Sequence, residues 1–428
     1  MRKVVVLACM FLLVPQVLCA QAKDDVQERL KALEERIRAL EAEVQSLKAA
    51  QAAAPVAQAV APTATAPAMA PAPAQVAAPP AEVQVPAGAP LTPSGPLPVY
   101  GGASAMAKVL NPDISIIGDF LGAVGRNSVH PVPTLDMHES EVGLQAIVDP
   151  YARGDFFLTF GEEGVGLEEG YLTFTSLPGG FVAKVGKMRS SFGVVNTLHN
   201  HVLPWTDRPL VTENLVGGED GINDAGLSLS RILPAPRGIF LEGTAQIFRG
   251  DSGDVFKASR KGDVSLVGRL RGYRDLTEST NLDLGFSYAR GHNDLGSGFI
   301  TQLYGADATL RWKPLRRAIY HSFLARTELV WSRREQWAGT PQAFGMYTSG
   351  EYRLNRRWTV GGRYDRSDRT RNANQTDSGF STLLTYWPSE FSQIRGQYRW
   401  VRYAEGREGN ELRFQFLFSL GAHGAHPF

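Results

Sequence analysis

From Pro112 onward apolar and polar residues alternate with period two, the mark of strands with one face in each of two environments. One face is apolar: Leu282, Leu284, Phe286 and Tyr288 in one run, then Tyr304, Ala306, Ala308, Leu310 and Trp312, then Ile394, Tyr398 and Trp400, and finally Leu412, Phe414, Phe416, Phe418 and Leu420. The opposite face carries Asp283, Ser287, Asp307, Thr309, Arg311, Gln393, Arg395, Gln397, Arg399, Arg413, Gln415 and Ser419. A packed interior has to pair such groups one by one, whereas a water-filled lumen does not. Short turn-like breaks at 149–150, 177–180, 233–236, 274–277, 313–315, 354–356 and 387–389 alternate with longer polar breaks at 126–132, 161–166, 190–221, 250–261, 291–298, 333–339, 368–374 and 405–409, delimiting sixteen candidate strands. Short turns on one side and long loops on the other belong to outer-membrane barrels, with the short turns in the periplasm. Trp312, Trp331, Trp358, Trp387 and Trp400 at strand ends suit interfacial girdles; scattered sandwich core is their alternative reading. The pattern predicts an all-β, transmembrane antiparallel β-barrel of about 16 strands over 99–428, wide enough to leave an aqueous channel.

Upstream the period changes. From Val26 the residues Leu30, Leu33, Ile37, Leu40, Val44 and Leu47 alternate spacings of three and four among Glu, Lys and Arg, a heptad seam that predicts an α-helical coiled coil over 23–49 and self-association through it, as a dimer by core-residue type or a trimer if a barrel imposes three. Positions 50–98 are mostly Ala, Pro, Val, Gln and Thr, an extended spacer without a core. At 1–22, Arg2 and Lys3 precede the apolar run 4–14 and the small-residue site Ala20-Gln21-Ala22, a cleavable secretory signal. Leu18 ahead of Cys19 disfavours a lipid anchor. Cys9 and Cys19, the two cysteines of the chain, both fall in that signal, which leaves the exported chain no disulfide, thiolate metal site or cysteine nucleophile. The expected location is the outer membrane, with the N-terminal segment in the periplasm.

A net charge of +1 and a charged fraction of 20% give no ground for nucleic-acid binding. No Gly-x-Ser-x-Gly, His-Glu-x-x-His, phosphate-cradling glycine loop or haem motif occurs, so no enzyme and no cofactor are expected. The longest break, 190–221, is the third on the long side and is expected to fold inward and narrow the pore. It carries His199, His201, Trp205, Asp207, Arg208, Glu213, Glu219 and Asp220, while later strands turn Arg269, Arg271, Arg311, Arg326, Arg363, Arg395, Arg399 and Arg413 to the lumen. Loop acids, Asp207 and Glu213 among them, opposite a basic wall would set a transverse field that selects small polar or charged solutes. Mutual pairing for structural reasons is the alternative. His199 and His201, and His423 and His426 in the tail, are candidate zinc ligands, zinc entering as cargo.

The stretches Ala183-Lys184-Val185-Gly186-Lys187 with Ser191-Phe192-Gly193, Tyr386-Trp387-Pro388 with Gln393-Ile394-Arg395-Gly396-Gln397-Tyr398, and the terminal Phe428 resemble outer-membrane porins of the phosphate-selective O and P type. The resemblance implies a homotrimer in outer-membrane lipid and recognition of Phe428 by the barrel-assembly machinery. The run from His201 through Trp205 to Leu210, and the tail from Gly421 to Phe428, resemble a subset often labelled zinc-regulated outer-membrane receptors. Three readings follow: a porin for small hydrophilic or charged solutes, a zinc uptake channel or receptor, and a structural tether between outer membrane and cell wall.

Overall fold

The computed structural model describes residues 112–161 and 164–421. The signal, heptad and spacer segments, and His423, His426 and Phe428, lie outside the described residues.

Sixteen antiparallel strands close into one barrel. They are β1 (Asp113–Arg126), β2 (Leu135–Asp149), β3 (Ala152–Gly161), β4 (Gly164–Leu177), β5 (Phe181–Arg189), β6 (Asn223–Ile232), β7 (Ile239–Phe248), β8 (Ser265–Thr277), β9 (Thr280–Asn293), β10 (Gly296–Trp312), β11 (Ser322–Arg334), β12 (Gln342–Arg353), β13 (Trp358–Arg369), β14 (Asn372–Ser389), β15 (Ser392–Arg402) and β16 (Glu408–Gly421). Each pairs with its chain neighbours, and β1 closes on β16 in a register running from Ser115 opposite Gly421 to Arg126 opposite Asn410. Closure leaves no edge strand, the condition for a sheet to satisfy its backbone in hydrocarbon.

The outward face is apolar as the alternation predicts: Leu284, Phe286, Tyr304, Phe380, Ile394, Leu412, Phe414, Phe416 and Leu420 are all exposed. Trp358 packs at a tilt on Tyr386, centroids 4.6 Å apart, at the short-turn rim, and Trp331 packs on Phe344 towards the other rim. Phe286, at mid-height in β9, is 62% exposed. In a bilayer, Phe286→Arg is expected to destabilise the barrel by about 2–4 kcal/mol, against about 0–1 for Leu266→Arg near the rim. Denaturant titration of the folded barrel in lipid measures both. Equal effects at the two depths would remove hydrocarbon from the description.

The expected division into short and long breaks is corrected in detail. On the long side the β9–β10 and β13–β14 connections are only 294–295 and 370–371, while on the short side β10–β11 is joined by 313–321. Polar strand ends stay paired beyond the apolar band, so polarity there marks wall height, not a loop. Likewise β8 runs on to Thr277 and β14 to Ser389, through the predicted turns at 274–277 and 387–389.

The inward loop and its cavity as candidate functional site

The connection 190–222 between β5 and β6 folds into the barrel. Gly193 (φ +64°) and Gly221 (φ +62°) make the bends at its ends; each is left-handed, and a Cβ would strike Glu328 in the first case and Asn196 in the second. Between them lie 3₁₀ turns at Val195–Thr197 and Asn200–Val202 and a short helix α1 (Leu210–Leu215). Arg208 braces the loop from within, donating to Asn200 Oδ1 and to the carbonyls of Val195 and Leu198. Phe192, Leu203, Trp205, Val211 and Leu215 pack against Val267, Leu303, Val330, Tyr347 and Leu383 of the wall, all buried. This corrects the expectation of a uniformly wet lumen. A patch of the inner wall is apolar, and the loop covers it.

Charge fastens the loop on two sides with opposite signs. Towards β13–β15, Asp207 accepts from Arg363 Nη2 at 2.9 Å and Gln397 Nε2 at 2.6 Å, and pairs with Arg399 Nε at 2.9 Å. Burial opposes its charge, but Arg363 and Arg399 hold its carboxyl well below the usual range. Arg395 Nη1 donates to the Trp205 carbonyl, and between the two sides, on β11, Glu328 Oε1 accepts from the Val194 and Val195 amides at 2.9 and 2.8 Å. Towards β2–β4 the loop is the base and the wall the acid. His199 is fully buried, its Nδ1 2.6 Å from Glu141 Oε2 and its Nε2 2.8 Å from Glu169 Oε2. Burial alone would discharge it; the bonds to Glu141 and Glu169 and the nearby Glu168 carboxylate push it up to about 10, so it is an imidazolium bridging two glutamates.

Two β-bulges build the acidic wall. The β1–β2 register slips so that Asp119 faces Glu139 and Phe120 faces Met137, leaving His138 as the extra residue. The β3–β4 register slips between Phe157 and Leu158, opposite Glu169 and Leu167, leaving Glu168 as the extra residue. Each bulge turns two consecutive polar side chains inward where strict alternation allows one. Sequence reasoning missed Glu139, Glu141, Glu168, Glu169 and Arg189. The two-residue spacing of Glu139 and Glu141 was a usable signal; the adjacent Glu168 and Glu169 gave none, because a bulge is set by its partner strand.

Beside the loop a cavity of about 280 Å³ opens against β1, β2 and β14–β16. Asp119, Asp136, Asp207, Glu213, Glu219 and Asp377 line it, six carboxylates against the guanidiniums of Arg208, Arg399 and Arg413 and the imidazoles of His130 and His138. Glu219 accepts from Asn200 Nδ2 and pairs with His138 Nε2 at 3.0 Å. Glu213 opens on the cavity; removal from bulk water and the charges of Glu219 and Asp207 push it up to about 7. Of the residues expected to line the pore, Asp207, Glu213, Arg399 and Arg413 face this cavity. Arg363 and Arg395 are instead buried beneath the loop. Arg269 pairs with Asp307, Arg271 and Arg311 with Asp283, and Arg326 with Glu351, on wall outside the cavity. These four arginines are therefore paired on the wall, unlike the acid-rich lining of the cavity. His199 and His201 come together on one 3₁₀ turn, but both are buried and neither lines the cavity.

No family model matches the chain. An uncharacterized protein of Aquifex aeolicus is 29% identical over 384 aligned residues, 75% of this chain and 81% of the relative. Among solved structures, the anion-selective porin from Comamonas acidovorans superimposes with a TM-score of 0.51 at 10% identity, over 72% of this chain and 98% of that one. The outer-membrane channel DcaP of Acinetobacter baumannii gives 0.50 at 13% identity, over 75% and 100%. The fold of the described residues is the sixteen-stranded barrel of outer-membrane porins.

Proposed function

We propose that the chain is a porin-like outer-membrane channel for small hydrophilic solutes, with a preference for cations. The carrying observation is the cavity beside the inward loop, where six carboxylates face three guanidiniums and the His138 imidazole that pairs with Glu219, leaving acids in excess. Charges lining a narrow low-dielectric passage act on a permeating ion far more strongly than in bulk water. The porin fold, the apolar outer band and the sequence resemblance support the reading, and the resemblance carries with it an expected homotrimer, while the heptad seam by its core residues favours a dimer unless the barrel imposes three. Zinc uptake along His199 and His201 is not favoured, because a solute in the cavity does not meet either ring.

Planar-bilayer recording tests the proposal. Reconstituted protein should conduct and show cation-directed reversal potentials in a salt gradient. Selectivity should fall as pH drops from 8 to 6, because protonation of Glu213 removes one cavity charge, and Glu213→Gln should lessen that dependence. Absence of conductance from folded barrel would overturn the channel; anion-directed potentials would overturn the cation preference alone.

A further inference from the structure

We infer that the acidic pocket behind His199 is a structural divalent-cation site, selective for a metal that accepts imidazole with carboxylate, which locks the inward loop to β2 and β4. Donor atoms of Glu141, His199 and His201 lie within 4.8 Å of one another, as do those of Glu139, Glu141 and Glu168. The two sets share Glu141, so two imidazoles and three carboxylates converge from the loop and from two different strands. All but Glu139 are nine-tenths buried or more.

Three further observations separate this cluster from a mere concentration of acid. Glu168 gives Oε1 to the Arg189 guanidinium at 2.5 Å, yet its other oxygen is buried with no hydrogen-bond donor and points into the cluster, 3.4 Å from His199 Nδ1. Glu139 Oε2 is likewise buried without a donor. Buried carboxylate oxygens without a hydrogen bond cost free energy, and the His199 ring at 3.4 Å compensates Glu168 Oε2 less well than a cation in direct contact would. Second, His199 has the two-sided arrangement of a metal-bound imidazole: Nε2–H donates to Glu169, whose other oxygen is fixed by the Arg189 amide at 2.6 Å, while Nδ1 is turned to Glu141 and Glu168. Third, Glu139 and Glu141 on β2 and Glu168 on β4 bring their carboxyl oxygens within 4.8 Å of one another, so a cation placed among them relieves the mutual repulsion of groups held on two different strands. A divalent ion replacing the proton on Nδ1 would be met by neutral nitrogen and anionic oxygen, a donor set that suits zinc and its first-row neighbours better than calcium or magnesium. The ion is a fastener here, not cargo, since the pocket does not open on the cavity.

The inference does not rest on the channel reading and is tested apart from it. His423→Ala/His426→Ala serves as background, so that the tail cannot supply the signal. Folded barrel is loaded with zinc alone, dialysed and analysed for metal content, and zinc X-ray absorption is recorded. One equivalent is expected, with nitrogen and oxygen at about 2.0–2.2 Å and the outer scattering of two imidazoles. Glu168→Gln should weaken zinc at least tenfold and His199→Gln/His201→Gln should abolish it, while zinc raises the unfolding temperature of the background protein and calcium does not. Folding of each variant is checked by resistance of the unheated barrel to detergent. Folded background protein without stoichiometric zinc would overturn the site, as would full binding by the folded double variant or equal stabilisation by calcium.

Discussion

Trp205→Ala is expected to undock the inward loop at a cost of about 3–5 kcal/mol, the range for truncating a fully buried indole. Trp205 is 1% exposed, its ring meets Tyr347 edge-on at 5.3 Å, and the Arg363 guanidinium sits 4.8 Å from its centroid. Truncation would leave a void between loop and wall and remove the aromatic seat of a buried cation. The sixteen-strand ladder does not pass through Trp205, so the loss should fall on the loop. Single-channel conductance should rise and become noisy, and protease should cut within 190–222 while the barrel stays folded. Wild-type conductance together with a resistant loop would show that the indole is not what seats it.

The strand count, the outward face and the identity of the inward loop were legible because each rests on local periodicity or on length. Phe414, Phe416 and Phe418 announce a lipid-facing strand without reference to any partner, and 190–221 stood out as the longest break. What the lumen contains was less legible. Arg363 and Arg395 share the inward phase of Arg399 and Arg413, yet the first two lie beneath the loop and the others face the cavity. The difference depends on where residues some 150 to 200 positions earlier come to rest, which no strand period encodes. One signal was present and unread: Val267, Leu303, Val330, Tyr347 and Leu383 occupy inward positions that an open aqueous channel would fill with polar groups, and together they mark where the loop lands. Nor could the sequence alone show Glu168 and Glu169 on the same side of β4, since the bulge arises from pairing with β3.

Asp207→Ala is the second large expectation, and it separates charge from packing. Asp207 is the only loop carboxylate among the described residues that binds both Arg363 and Arg399, and both arginines are buried. Removing one partner of a buried pair leaves an uncompensated charge and costs about 3–5 kcal/mol, more than the net worth of the pair itself. Asp365 still reaches Arg363 Nε at 2.7 Å and Glu411 still reaches Arg399 Nη1 at 3.3 Å, so the lower end of that range is expected. Unlike Trp205→Ala, this change also subtracts a negative charge from the cavity, so conductance should rise while cation preference weakens. The double variant Asp207→Ala/Arg363→Leu should recover part of the loss, because it takes away the stranded cation as well as its partner. A double variant as unstable as the sum of the two single changes would mean that Asp207 and Arg363 act independently, and that Asp207 holds the loop to the basic wall through Arg399 and Gln397 instead.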